Sequence, residues 1–188
     1  MAGRDRQPLA NLGRLDFEKG HPDLIPGPNT SSKLKFESTP TMKQPLDSGP
    51  LDKAKLLELV AAAQNAALSA YNPYSNFAVG CALLSKSGKI YCGCNVENAS
   101  YSVTICAERV AASQAILHRD LEWDSMVVVS PERVTMCGVC RQFVHEFAPQ
   151  LRVWSGYLNN TDLIGPVLLN ELLPAAMTLA RKPTAPLS

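Results

Sequence analysis

Three cysteines and one glutamate carry the chemistry that this chain can do. Cys106-Ala107-Glu108 comes first, and Cys137-Gly138-Val139-Cys140 follows after a long gap. Three thiolates give a tetrahedral zinc ion three protein ligands and leave its fourth position open, the arrangement of a catalytic rather than a structural site. Glu108 need not be a ligand. Two residues from Cys106, it is placed to handle the protons of a water held at the open position. The spacing therefore predicts zinc-assisted hydrolysis, and hydrolytic deamination is the most economical form of it. A structural site would need a fourth ligand. The nearest candidate, His145, is five residues beyond Cys140 and falls on another face of the same predicted helix.

The surrounding pattern says how these residues are positioned. Cys106 opens a predicted helix running to about Ile116, and Cys137 opens another running to Phe147. Helix starts carry free N–H groups and a partial positive charge, which favour thiolates. Residues i and i+3 share a helix face, so Cys137 and Cys140 present their sulfurs together. Three thiolates with one zinc sum to a net negative charge. Arg109 and Arg141, each next to a ligand or to the glutamate, are the cations expected to offset it, Arg109 first.

Helical spacing of Leu56, Leu59, Val60, Ala63 and Ala67 predicts an amphipathic helix over about 52–69, with Asp52 as its cap. Phe77 to Leu84 reads as a doubly covered strand. Ser85-Lys86-Ser87-Gly88 reads as a hairpin turn, and Lys89 to Asn95 as the returning strand. Further strands are expected at Met126–Val129, Leu151–Tyr157 and about Gly165–Leu168, with a short helix from Asn170 to Leu173. The order α-β-β-α-β-α-β-β-α implies a three-layer α-β-α sandwich around a mixed, partly parallel sheet.

Bulk properties narrow the function. The 188 residues suffice for one domain and an extension. Residues 1–49 are rich in proline and glycine without a periodic pattern and read as a flexible N-terminal extension. Residues 50–180 read as the catalytic domain and 181–188 as a short flexible tail. No secretory leader or membrane span is legible in the chain, so a reducing, cytoplasmic setting is expected, with the nucleus also compatible. All six cysteines fall between Cys81 and Cys140. Cys81, Cys92 and Cys94 read as small core residues. Residues 51–188 carry eleven Lys/Arg and eleven Asp/Glu. Such a neutral domain lacks the basic surface that a polynucleotide demands, so neither a nucleic-acid nor a membrane partner is expected.

Asn95 and Glu97, two apart on an extended segment, face the same way and suit a hydroxyl that both donates and accepts. Glu97 would repel a phosphate, which favours an uncharged small substrate.

Several segments resemble the cytidine deaminase family, in its small zinc form with three cysteine ligands. They are Ser69-Ala70-Tyr71-Asn72-Pro73-Tyr74-Ser75-Asn76-Phe77-Ala78-Val79-Gly80, Cys94-Asn95-Val96-Glu97-Asn98-Ala99-Ser100-Tyr101, the two cysteine motifs with Arg109 and with Arg141-Gln142, and Glu171-Leu172-Leu173-Pro174. The resemblance implies one zinc per subunit on Cys106, Cys137 and Cys140, with Glu108 as proton shuttle. It implies that Asn95 and Glu97 bind the ribose 3′-hydroxyl, that Phe77 stacks on the pyrimidine and that Ala107 lines the substrate site. Ala99 and Tyr101 would meet the 5′-hydroxyl region of a substrate in a neighbouring subunit of a homotetramer. The implied reaction converts cytidine or deoxycytidine and water to uridine or deoxyuridine and ammonia, a step of pyrimidine salvage. The alternatives are a catalytically weak or silent nucleoside-binding relative, or a deaminase of another aminopyrimidine or of a polynucleotide. Two positions depart from the family. Met136 replaces a common proline before Cys137, which is expected to loosen the site, and Met177 replaces a common aromatic residue.

Overall fold

The computed structural model describes residues 50–180. The extension anticipated over 1–49 and the tail over 181–188 lie outside the described residues. The first helix, α1 (Lys53–Ala67), buries Leu59, Val60, Ala63 and Ala67, the apolar stripe read from the sequence. Asp52 stands at its N-cap but makes no side-chain capping bond. A hairpin of β1 (Gly80–Ser85) and β2 (Ile90–Cys94) follows. Then come a single 3₁₀ turn (Tyr101–Val103), α2 (Ala107–Leu117), β3 (Trp123–Ser130), α3 (Gly138–His145), β4 (Arg152–Tyr157), β5 (Leu163–Leu168) and α4 (Leu169–Leu172). The element order is the expected one, with the 3₁₀ turn added. The first strand is shorter than predicted. Phe77 and Val79 precede it, in a loop whose backbone is held mainly by side chains, with a single backbone bond from the Asn95 N–H to the Val79 carbonyl at 3.2 Å.

The five strands run in the order β2-β1-β3-β4-β5. β3 and β4 are parallel, joined by α3, while the other neighbouring pairs are antiparallel. The sheet is thus mixed. Strand period two sends alternate side chains to opposite faces. Ala82, Leu84, Val127, Val129 and Trp154 pack under α1 with Leu59, Val60 and Ala63. Cys81, Leu83, Met126, Val128 and Val153 face the other way, against Ala107, Ala111 and Ala115 of α2 and Cys140 and Val144 of α3. These are the three layers that the sequence predicts.

The small face of α2 lets its backbone lie directly on β2. A Cβ on Gly93 would stand 2.3 Å from the Ala107 carbonyl oxygen and 2.5 Å from the Ala111 nitrogen. That close approach fixes where α2 begins, and therefore where Cys106 sits. Among the described residues, no helix is long and apolar enough to cross a membrane.

Candidate metal centre and active site

Cys106 is the N-cap residue of α2 and Cys137 the N-cap residue of α3, both with extended backbone. Cys140 lies in the first turn of α3 and is fully buried. The helix starts meet, so that the three sulfurs lie within 4.8 Å of one another. Cys106 Sγ and Cys137 Sγ are 3.8 Å apart. A tetrahedral zinc with Zn–S bonds of about 2.3 Å sets its sulfurs about 3.8 Å apart, so the donor set fits zinc in chemistry and in spacing. The Cys140 N–H donates to Cys137 Sγ at 3.5 Å, which orients that sulfur. His145 is not in the cluster, in keeping with its predicted helix face.

The electrostatics favour a thiolate cluster. Contact with the Cys140 thiol, helped by Arg109 and Cys137 and opposed by burial, brings the Cys106 pKa down to about 5. Cys140 is driven in the opposite direction, because the Cys106 sulfur accepts its proton and because it is buried. A divalent cation among the sulfurs would replace that shared proton. Burial lowers the Arg109 pKa, but the sulfurs of Cys106 and Cys140 more than offset it. One Arg109 nitrogen, Nη2, donates to the Thr104 carbonyl at 2.8 Å, and Nε is buried without a hydrogen-bond partner. A buried guanidinium N–H without an oxygen acceptor, beside sulfurs, suits a thiolate pair that carries excess negative charge.

Arg141 does something different from what its sequence position suggests. Its Nε donates to the Met136 carbonyl at 2.8 Å, Nη1 to the Leu172 carbonyl at 2.8 Å and Nη2 to Thr135 Oγ1 at 3.0 Å. It clamps the loop before Cys137 to α4, and offsetting the sulfur charge falls to Arg109. The side chain of Met136 fills the core at 1% exposure, so the loop is anchored where proline is absent. Met177 is exposed, and its backbone N–H and carbonyl pair with the Gln142 amide at 3.1 and 2.9 Å.

Glu108 is 4% exposed. Burial, with a contribution from the Cys106 thiolate, raises its pKa to about 7. A carboxyl poised there can both take and give a proton near neutral pH. Glu108, Cys106, Cys137 and Ala107 line one cavity of about 460 Å³ together with Phe77, Asn95, Glu97 and Tyr101. That volume suits a small molecule. Ala99 is exposed and does not line this cavity. Ser75, Val79, Thr104, Val128, Val134 and Thr135 complete the lining. No ligand-spacing signal marked them, although Ser75 and Val79 lie inside the Ser69-to-Gly80 segment already singled out and Val128 lies inside the predicted strand Met126–Val129.

Asn95 and Glu97 share a face, as expected, but much of their bonding capacity is spent on the chain itself. Asn95 Oδ1 accepts the Val79 N–H at 2.8 Å, and Nδ2 donates to the Phe77 carbonyl at 2.9 Å. Glu97 Oε2 accepts the N–H groups of Tyr74 and Ser75 at 3.0 and 3.2 Å. Glu97 Oε1 accepts the Ser75 hydroxyl. These bonds, that hydroxyl first, lower the Glu97 pKa against the opposing effect of burial. All six cysteines have free thiols. Cys81 is buried in the core, and Cys92 and Cys94 are half-buried.

Fold and site together define an α/β protein with a three-cysteine cluster suited to zinc and a buried carboxyl beside it. The model for the cytidine and deoxycytidylate deaminase zinc-binding region matches residues 53–155. A probable cytidine deaminase of Dictyostelium discoideum is 44% identical over 100 residues, covering 52% of this chain and 68% of the relative. The cytidine deaminase of Halalkalibacterium halodurans is 42% identical over 123 residues, covering 64% and 92%. The crystal structure of cytidine deaminase from Burkholderia pseudomallei superposes with a TM-score of 0.61 at 39% identity, covering 64% of this chain and 98% of that one. The chain belongs to the cytidine deaminase family.

Proposed function

We propose that this protein hydrolyses free cytidine and deoxycytidine to uridine and deoxyuridine with release of ammonia, in pyrimidine salvage. The observation that carries the reading is the shared cavity. A buried Glu108 and two of the three clustered sulfurs, those of Cys106 and Cys137, line the same space as the Phe77 ring and the polar side chains of Asn95 and Glu97. Zinc held by Cys106, Cys137 and Cys140, one ion per chain, supplies Lewis-acid activation of water at neutral pH. Glu108 takes a proton from the attacking water and passes protons to the ring nitrogen and the departing amine. Its raised pKa suits both directions of transfer. Phe77 stacks on the pyrimidine. Asn95 and Glu97 each keep spare hydrogen-bonding capacity for one ribose hydroxyl, the former as donor and the latter as acceptor. Ala107 packs against the base.

Residues 50–180 form the catalytic domain of this reading. Four copies assemble, with exposed Ala99 and Tyr101 turned to a neighbour's substrate, and the protein works in the cytoplasm. The ultraviolet change on converting cytidine to uridine tests the activity, beside Glu108→Gln with its zinc content measured. Gln keeps the shape and loses the proton transfer, so the rate falls by about 10²–10⁴-fold while zinc stays bound. A wild type no faster than Glu108→Gln, both zinc-loaded, would leave only a silent nucleoside binder. Cytidine monophosphate and a single-stranded oligonucleotide, assayed in parallel, are expected to be poor substrates.

A further inference from the structure

The loop before β1 is tied to the segment after β2 through one hydroxyl. Ser75 Oγ donates to Glu97 Oε1 and accepts the Phe77 N–H at 3.0 Å. Around it, the Glu97 N–H donates to the Tyr71 carbonyl at 2.7 Å. Asn76 sits at φ 57°, a left-handed conformation that asparagine tolerates. Turning the Asn72 amide so that its oxygen faces the loop lets it accept the N–H groups of Phe77 and Ala78 at 2.9 and 3.0 Å. The loop backbone therefore has supports besides Ser75. Glu97 Oε1 has no other protein donor in the hydrogen-bond network described above.

A carboxylate offers about four acceptor positions. Both positions on Oε2 are taken by the N–H groups of Tyr74 and Ser75. One position on Oε1 is taken by the Ser75 hydroxyl. The one remaining acceptor position is on Oε1, in a side chain that lines the cavity. We infer that Ser75 is a positioning residue for nucleoside recognition, locking the Glu97 carboxylate so that Oε1 receives the sugar hydroxyl, while Ser75 Oγ also accepts the Phe77 N–H and steadies that ring. The inference rests on the reading of Glu97 as a ribose-hydroxyl acceptor, and it gives Ser75 a specific part in distinguishing a sugar hydroxyl from its absence. Without the Ser75 hydroxyl the carboxylate is held only through Oε2, by the Tyr74 and Ser75 N–H groups, and Oε1 loses its anchor and takes water.

Steady-state kcat/KM for deoxycytidine and for 2′,3′-dideoxycytidine tests it, in the full-length zinc-loaded protein and in Ser75→Ala, Ser75→Thr and Glu97→Gln. Ser75→Ala is expected to lower kcat/KM for deoxycytidine about tenfold, the size of one lost charge-assisted hydrogen bond, chiefly through KM. Its value for dideoxycytidine should change less than twofold. Ser75→Thr, which keeps a hydroxyl, should recover most of the lost discrimination. Equal losses on both substrates from Ser75→Ala would overturn the inference by reducing Ser75 to a structural support. No loss on either, with Glu97→Gln still losing discrimination, would overturn it too. If Glu97→Gln itself leaves discrimination intact, the reading of Glu97 fails instead. Should Ser75→Ala fail to fold, Ser75→Cys, similar in size and a weak donor, must show the same selective loss.

Discussion

Replacing Arg109 by alanine leaves the three sulfurs in place and removes the cation beside two of them. The guanidinium and the Cys106 thiolate stabilise one another's charged forms, and the Cys140 sulfur further favours the charged guanidinium, so Arg109→Ala should bind zinc about 10–100-fold more weakly. Competition with a chromogenic chelator measures this. Arg141→Ala should hold zinc nearly as well and lose stability instead, since its bonds go to Met136, Leu172 and Thr135. A stability effect is expected at Glu97 also. Its folded pKa lies below the ordinary carboxylate value, chiefly through the Ser75 hydroxyl. The folded state therefore gains from ionised Glu97 fully above the ordinary carboxylate pKa of about 4.3. That gain is lost as pH falls through the lowered folded value. Urea titrations should show wild type ahead of Glu97→Gln at neutral pH, with the gap closing in acid below that range. The meeting of the three cysteines beside Glu108 was legible in the sequence, because ligand spacing and helix starts are local features. Arg109 was also the first choice there, but the clamp that Arg141 makes instead was not legible. Both sit one residue past a key position, and only the route of the loop before Cys137 decides which one reaches sulfur.

The starts of α2 and α3 place all three ligands, so the packing of a helix becomes a property of the site. Gly93→Ala would drive a Cβ into the α2 backbone at Ala107 and Ala111. Backbone atoms cannot step aside as a flexible side chain can. The expected cost is about 3 kcal/mol, the upper part of the usual overpacking range. Because the helix must shift with Cys106 at its head, zinc should also be lost faster to a chelator. Gly138 is the opposite case. It opens α3 between Cys137 and Cys140, and a Cβ there meets nothing within 4 Å. Gly138→Ala should stabilise by about 0.5–1 kcal/mol through lost unfolded-state freedom, read as a higher denaturant midpoint with zinc retained. The order and type of the elements were readable from periods of 3.6 and 2, since each face of the sheet buries its own alternate residues. The extent of the first strand was not readable. Phe77 to Val79 has a strand's composition, but it is held mainly by the Asn95 side-chain amide and the Ser75 hydroxyl, with one backbone bond from the Asn95 N–H to the Val79 carbonyl, rather than by a full ladder.

At the scale of the whole described domain, a metal held by the three sulfurs would link two helices that the core already holds. One core cluster joins α2, α3 and the sheet through Ala111, Met126, Val128 and Val144, and a second lies under α1 on the opposite face. Neither depends on a sulfur ligand for most of its buried surface. This separates the protein from small zinc modules that unfold without metal, where binding free energy is the folding free energy. Removing zinc should therefore leave the sheet and helices in place, with far-ultraviolet circular dichroism nearly unchanged. It should still lower stability, because zinc binds only the folded arrangement of Cys106, Cys137 and Cys140. With free zinc a thousandfold above its dissociation constant, that linkage is worth about 4 kcal/mol. For a domain of this size it corresponds to roughly 10 °C or more in Tm. Differential scanning calorimetry of chelated and zinc-restored protein measures it, and the restored protein should recover the higher Tm. A chelated protein with the same Tm would mean that the three sulfurs hold no metal tightly. One without secondary structure would mean that the metal, rather than the two cores, organises the fold.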